Sequence, residues 1–455
     1  MVRRIGLVMA VLLMMAVAIP AFAADIKFNG DFNNRFMLFT NHYDWVKGAG
    51  DNTATLDDGS VNETFGEAKY RFWANASTDD GKVSGVWAFE VGGLKYGDAA
   101  KKGGYSGDGI NFETRWLYTD FQLPWACDKA RVRMGLQSIT VNKYLWSETA
   151  MGVVLNGSSN GVDYQAGWIR PYNDPVTTAN DDAEDLDAFF GRVNFKPTDG
   201  LKVGIFALYM DGNDDDPAVG TMPTPAGYEV KRFNNNYDLS LLTLGTDGAF
   251  AKNNFFVNWD LMYEDGSVDD IAGAADQDLS AWFGHVDLGF KVDSLKFTYT
   301  FWYASGDDNP NDNDFDGFLS VDVDTFDNIC LFEGGFTDDN YFTERPYLLD
   351  KGFIMNKLAV DYKANKKLTV GAAAMYMMTA EDIKYTDNHG KPQKDDQVGV
   401  EFDAYLSYKL YDSLEFAVNA GYLFAGDALD YFEVDKDGSA DEDIFISTMR
   451  VRYKF

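Results

Sequence analysis

Beyond its first two dozen residues the chain has no apolar run near the ~18–20 residues that a helix needs to cross a bilayer. A helical membrane protein is thereby excluded. Cysteine and histidine are scarce, two and three in 455 residues, too few for a disulfide framework or a Cys/His metal centre. No G-x-G-x-x-G follows a strand and opens a helix, and P-loop and G-x-S-x-G sequences are missing. Basic residues are outnumbered, 39 against 72 acids, for a formal charge of −33, which excludes a nucleic-acid binder. No cofactor is expected. What the chain has instead is 15% aromatics and 43 glycines, with alternating segments throughout.

The start of the chain reads as a secretory signal. Arg3 and Arg4 precede an apolar run from Ile5 to Ile19, then Pro20 and Ala21-Phe22-Ala23. A basic start, a short apolar core and an A-x-A site predict cleavage after Ala23. Residues 1–23 are then the signal peptide and 24–455 one transmembrane domain, at −35 once Arg3 and Arg4 are gone.

The end of the chain is a strand with two unlike faces. Phe445, Ser447, Met449, Val451, Tyr453 and Phe455 alternate with Thr448, Arg450, Arg452 and Lys454, and successive strand residues point to opposite sides of a sheet. The pattern recurs. Leu295, Phe297, Tyr299, Phe301 and Tyr303 alternate with Lys296, Thr298, Thr300 and Trp302; Val400, Phe402, Ala404, Leu406 and Tyr408 alternate with Glu401, Asp403, Tyr405 and Ser407. The first mature strand, 25–39, sets Phe28, Phe32 and Phe36 against Asp31 and Arg35. Soluble strands usually stop after ~5–6 residues; runs of ten or more suit tilted membrane strands.

Short turns are expected at 77–81, 124–129, 157–161, 196–200, 247–253, 291–294, 363–367 and 411–413. Long polar segments are expected near 40–63, 92–109, 138–148, 171–186, 211–236, 265–278, 305–352, 381–396 and 426–442. Eight turns and nine loops join eighteen antiparallel strands into a closed transmembrane β-barrel, with sixteen as the alternative. Short turns on one side and long loops on the other give turns facing the periplasm. Closure is obligatory, because an open edge in lipid leaves backbone donors unpaired.

Parity then assigns the lumen. Arg450, Arg452, Arg35, Lys69 and Arg71 share lumen parity on the last, first and second strands, and Arg131 and Arg133 extend the set. Asp361, Glu401, Asp403 and Glu415 line the other side. Opposed basic and acidic walls would set a transverse field; the cationic wall favours anions within the lumen while the acidic loops enrich cations at the mouth, so weak selectivity leaning to cations at low salt is expected. Trp73, Trp302 and Tyr405 also have lumen parity and could stack on sugars. His285 is expected to be a pore histidine. Asp312-Asn313-Asp314-Phe315-Asp316-Gly317 opens like an EF-hand loop, but its twelfth position is Val323 in place of the bidentate Glu, so no metal site is expected. Cys127 lies in a turn and Cys330 in a loop, across ~30 Å of hydrocarbon, so no bridge is expected between them.

The signal peptide, the eighteen-strand pattern, the acidic loops and the terminal Phe455 together resemble the homotrimeric general porins of the Gram-negative outer membrane. Ala130 to Gln137 and Met151 to Leu155 are most similar to the Desulfovibrio-type group. The resemblance implies a trimer with one water-filled channel per subunit for small solutes and ions. It also implies an inward-folded third loop, a C-terminal Phe455 read by the barrel-assembly machinery, and contact with lipopolysaccharide bridged by divalent cations. The Pro-Glu-Phe-Gly sequence of the enterobacterial third loop is missing, the third segment around Asn142 to Glu148 is short, and 305–352 is the longest candidate for narrowing the pore. A diffusion porin, not an enzyme, is the expected function, with a saccharide-specific channel as the alternative.

Overall fold

The computed structural model describes residues 24–41, 62–97, 110, 112–124, 130–173, 185–213, 238–269, 276–309, 312–320, 328–330, 350–433, 436–440 and 442–455. Residues 1–23, read above as a signal peptide, and Cys127 lie outside them.

The strands in chain order are β1 (Ala24–Thr40), β2 (Asn62–Thr78), β3 (Val83–Lys95), β4 (Glu113–Gln122), β5 (Arg131–Asn142), β6 (Trp146–Ser159), β7 (Val162–Asn173), β8 (Asp185–Thr198) and β9 (Leu201–Asn213). They continue as β10 (Asp238–Lys252), β11 (Phe255–Asp269), β12 (Gln277–Val292), β13 (Leu295–Ala304), the two-residue β14 (Asp314–Phe315), β15 (Phe353–Lys363), β16 (Leu368–Thr386), β17 (Pro392–Tyr411), β18 (Leu414–Ala425) and β19 (Ile444–Lys454). Setting β14 aside, eighteen strands pair antiparallel with their chain neighbours. Pairing of β1 with β19, from Asp31↔Lys454 to Thr40↔Phe445, closes the ring.

Some boundaries differ from the sequence expectation. β10 runs on to Lys252, so its turn is 253–254, and 381–396 is mostly strand, since β16 and β17 extend far beyond the bilayer. The polar residues read there as loop alternate well enough to hold a ladder in water.

The outer face is greasy, with Phe28, Phe36, Leu244, Leu261, Leu288, Leu358 and Phe402 all exposed. Tyr362, Tyr411, Tyr453 and Phe455 ring the turn end; Trp168, Tyr209, Trp282, Tyr376 and Tyr422 ring the other. On β11 the step from Phe255 to the girdle residue Tyr263 is eight residues, ~21 Å along the normal at ~3.4 Å per residue and a tilt of about 40°. That height matches the apolar band of an outer-membrane barrel.

Phe455 lies at the seam. Its N–H donates to Gly30 O at 3.1 Å and its carbonyl accepts from Gly30 N at 3.0 Å. Its ring covers Gly30 so closely that a Cβ there would sit 2.5 Å from Phe455 Cζ, and it packs against Phe32 and stacks on Tyr453.

The core sits inside the outer half of the barrel. Met37, Phe39, Phe206, Leu208, Met210, Leu241, Met262, Leu279, Phe283 and Met377 carry lumen parity and are buried in one apolar cluster. Segments folded inward cover them. Phe318 packs on Phe283, with ring centroids 5.1 Å apart, and Leu319 N donates to Glu264 Oε2 at 2.8 Å. Five strands round the ring, Ile329 and Cys330 dock on β17. The lumen is therefore polar in its turn-side half and filled by apolar packing in its outer half.

Candidate functional site: an inward hairpin and an ion-paired wall

The β5–β6 hairpin folds into the lumen. β4 pairs with β5 from Arg131 to Leu136, and β7 pairs with β6 from Gly152 to Ser159. Between these limits, from 137 to 151, the hairpin pairs with itself and leaves the wall. Gly135 and Gly152, directly opposite each other, mark the departure. Gly135 has φ +125°, and a Cβ there would lie 2.9 Å from Tyr118 Cα; at Gly152 one would lie 2.7 Å from Trp168 O. Only glycine lets the neighbouring backbones pass that close. Gln137 Nε2 then donates to Gly152 O at 3.0 Å.

The tip is pinned by residues of β8, β10 and β11. Asn142 Nδ2 donates to Asp247 Oδ2 (3.0 Å) and to Asp260 Oδ1 (2.8 Å), while its Oδ1 accepts from Tyr144 N (2.8 Å) and so shapes the turn. Arg192 donates from Nη1 to Val141 O at 2.8 Å and grips Asp247 with both Nη atoms at 2.6 Å. The pin carries the fully buried Tyr144 and Leu145 inward. The Tyr144 ring packs on Phe283, His285 and Trp302 at centroid distances of 5.2, 4.8 and 4.7 Å. His285 Nδ1 lies 3.2 Å from Asp260 Oδ2; Asp287 accepts from Thr300 Oγ1 (2.6 Å) and Asn258 Nδ2 (3.1 Å). Third-loop inward folding, implied by the porin resemblance, occurs here through a three-residue turn, and the 305–352 connection supplies a second inward layer at 312–320 and 328–330.

The residues read as lining the pore all point inward, opposite the exposed apolar face. Arg35 is paired with Glu67 (Nε–Oε1 2.5 Å) and 3% exposed. Glu90 is shared by Lys69 (3.8 Å), Arg71 (2.5 Å) and Arg115 (3.1 Å). Asp120 is shared by Arg131 (2.5 Å) and Arg133 (3.3 Å). Asp31 is shared by Arg452 (Nε–Oδ1 2.8 Å) and Lys454 (3.8 Å), and Arg450 reaches Glu415 at 2.7 Å. The walls are therefore not segregated by sign as expected. Antiparallel register sets Arg35 opposite Glu67, Arg71 opposite Glu90 and Arg133 opposite Asp120, so carboxylates interleave the arginines. Among the described residues, seven cations share these three carboxylates. Elsewhere, Asp361 accepts from Tyr405 OH at 2.7 Å. Glu401 does not face water: it is fully buried, and Oε1 accepts from Ile329 N (2.8 Å) and Cys330 N (2.9 Å). Asp403 is buried beside it.

A family model described as alginate export matches residues 115–440. The chain belongs to the alginate-export family. No curated protein matches it. Among solved structures, this alginate-export barrel is similar to Pseudomonas aeruginosa OpdL, at 12% identity, covering 95% of this chain and 99% of that one with a TM-score of 0.55. It is also similar to OccK5 (OpdH) of the same organism, at 13% identity, 95% and 98% coverage and a TM-score of 0.53. A third likeness is to the P. aeruginosa outer membrane protein opdK, at 11%, 94% and 98%, and 0.52. These likenesses concern the fold, an eighteen-strand channel barrel of the outer membrane.

Other sequence expectations fare unevenly in this alginate-export barrel. Trp302 is 0% exposed beneath Tyr144, so it offers no face to a sugar. Cys330 is buried against β18 and β19, its Sγ 3.9 Å from Ile444 O. Asp312 Oδ1 caps its own turn by accepting from Asp314 N at 3.1 Å. The pin residues Arg192, Asp247 and Asp260 escaped the sequence reading; the signal that could have found them is the glycine pair flanking the hairpin.

Proposed function

We propose that the solutes favoured by this passive outer-membrane channel carry carboxylates. The observation behind the reading is the sharing of Glu90, Asp120 and Asp31 by seven lysines and arginines, which leaves an excess of positive charge on the β19–β5 arc. A polar, water-filled lumen lets that excess act on passing ions. In a KCl gradient the Arg71→Glu and Arg450→Glu variants should move the reversal potential toward cations. If both leave it unchanged, the arc does not face the conducting path and the reading fails. Rising salt should weaken any cation preference set by the acidic loops, which a Debye length of ~8 Å confines to the mouth.

A saccharide-selective channel is the second reading. Trp73 and Trp116 pair edge-on inside the lumen with centroids 6.0 Å apart, and Trp116 Nε1 donates to Thr149 Oγ1 of the hairpin at 3.3 Å. An enzyme is disfavoured, since His285 is sealed beneath Tyr144. Within the same proposal we place a homotrimer of the general-porin type, exported by cleavage after Ala23, with Phe455 read by the assembly machinery and the acidic loops meeting lipopolysaccharide. The loop asymmetry and the seam position of Phe455 support it. Unheated protein should run as an SDS-resistant, strand-rich oligomer; a monomer under every mild condition would refute the trimer.

A further inference from the structure

A slot of about 720 Å³ crosses the lipid-facing side of the wall between β11 and β17. Phe255, Phe297, Leu358 and Phe402 stand exposed along its sides. One ladder row runs through it from Phe255 to Phe290, Phe297, Val360 and Ala372, and its side chains shrink along the way. With Ala374 beside it, Ala372 forms a shallow floor. Phe255 is the first residue of β11, at the turn end, whereas Ala372 is four residues past Leu368, the first of β16. Those four residues rise ~10 Å along the normal at ~3.4 Å per residue and a tilt of about 40°. The slot therefore climbs from the turn-side boundary toward the middle of the bilayer, within the leaflet that faces the periplasm. The rim beneath it is basic, in a chain of net charge −33. The short turns 253–254, 293–294, 364–367 and 412–413 join the strands there. Lys252, Lys291, Lys363, Lys366, Lys367 and Lys409 flank or occupy these turns, all exposed, and none makes an ion pair among the described residues. Lys296 and Asp361 cancel one another at 3.7 Å, as Arg450 and Glu415 do at 2.7 Å. Asp293 and Asp412 are the remaining acids of the four turns, so the rim keeps an excess of positive charge.

We propose that the slot and its rim are a docking site for one anionic phospholipid of the periplasmic leaflet, with an acyl chain lying in the slot and the phosphate on the turn lysines. Basic residues clustered at a membrane boundary attract anionic headgroups, and the lysine stem lets the ammonium group reach the headgroup plane from a turn. The slot alone would take the chain of any lipid. The charge excess at its mouth is what selects an anionic one. At the opposite end of the barrel the acidic segments repel such a headgroup, which confines the lipid to this leaflet.

The test uses the mature barrel in detergent, with phosphatidylglycerol and phosphatidylcholine of identical chains as probes and native mass spectrometry as the readout. One phosphatidylglycerol should stay bound in preference to phosphatidylcholine. The combined variant Lys252→Gln, Lys291→Gln, Lys366→Gln, Lys367→Gln should lower that preference at least about tenfold, while the same four positions changed to Arg keep it. Ala372→Phe with Ala374→Phe fills the slot and should lower phosphatidylglycerol retention by a similar factor. An intact KCl conductance verifies that each variant is folded. The Gln changes lie on exposed turns, so that variant decides the matter should the Phe variant fail to assemble. Equal retention of the two lipids by the wild type, or an undiminished preference in the Gln variant, overturns the site. If the Phe variant instead splits an oligomer and leaves the lipid preference intact, the slot is a contact between copies of this chain and the proposal falls.

Discussion

Replacing Asn142 by Asp should release the hairpin. The native amide gives two hydrogen bonds to carboxylates, at 2.8 and 3.0 Å, each worth ~1.5–3 kcal/mol for a charged acceptor. Against that loss stands the burial of Tyr144, Leu145 and Trp146, at ~1.5–3 kcal/mol per large side chain. Losing the bonds alone does not exceed the burial, so Asn142→Ala should stay folded inward and show mainly a noisier current. Asp adds a third carboxylate about 3 Å from two others, and at an effective dielectric of ~20 each such pair repels by roughly 5 kcal/mol. Bond loss and repulsion together outweigh the burial. Single-channel recordings of Asn142→Asp should show a raised KCl conductance that falls back toward wild type on acidification, as the added carboxylate takes up a proton. The strands of the wall are untouched, so heat-modifiability in gels should persist. Wild-type conductance in the Asp variant at neutral pH would refute the hairpin as the narrow element, or the pin as what holds it.

Three further outcomes follow from the same geometry. Gly152→Val places a branched side chain against Trp168 O and should lower the yield of refolded barrel, by an amount set by overpacking costs of ~1–3 kcal/mol; normal yield and conductance would disprove the hinge. Glu401→Ala leaves the Ile329 and Cys330 N–H groups without their shared acceptor, at ~1–3 kcal/mol for each buried donor. Cys330, now sealed, should then react with a thiol reagent in the folded barrel, and continued protection would count against the latch. Asp80, in the β2–β3 turn, accepts from Lys82 N and Thr78 Oγ1, which holds its carboxyl down at about 2. Its support for the turn is complete above the unfolded value near 3.8 and is lost as pH falls through about 2; a carboxyl NMR titration with a midpoint near 4 would contradict that.

The wall was legible in the sequence because its physics is local. Alternation over ten residues needs no knowledge of partners, and short Asp/Asn/Gly turns marked every second strand boundary, so strand number, lumen parity and closure followed. Register was not legible. Arg35 and Glu67 are 32 residues apart, and nothing in either segment says they face one another, so the arginines read as a bare wall. The inward hairpin was hidden for a different reason: 138–148 reads as a polar loop, and nothing local in Ser138 to Val141 says that this stretch pairs with itself inside the barrel. A second signal was present and unread. At Phe36-Met37-Leu38-Phe39 and Ile205 to Met210 both faces are largely apolar, which in a barrel means the lumen side is covered too.

The seam has a consequence for when the barrel can exist. Its ladder joins Asp31 to Lys454 and Thr40 to Phe445, residues from opposite ends of the chain. Until β19 has been made and has crossed the inner membrane, β1 has no second neighbour and its row of donors and acceptors stays open. Strand pairing can proceed in order from hairpin to hairpin, each a local contact that forms quickly, but the final pairing is the longest-range one the chain can make. An exported chain lacking β19 would keep every other pairing of the wall and still present two raw edges, on β1 and β18, ready to join another chain. Completion of the barrel is thus tied to the arrival of its last strand, β19.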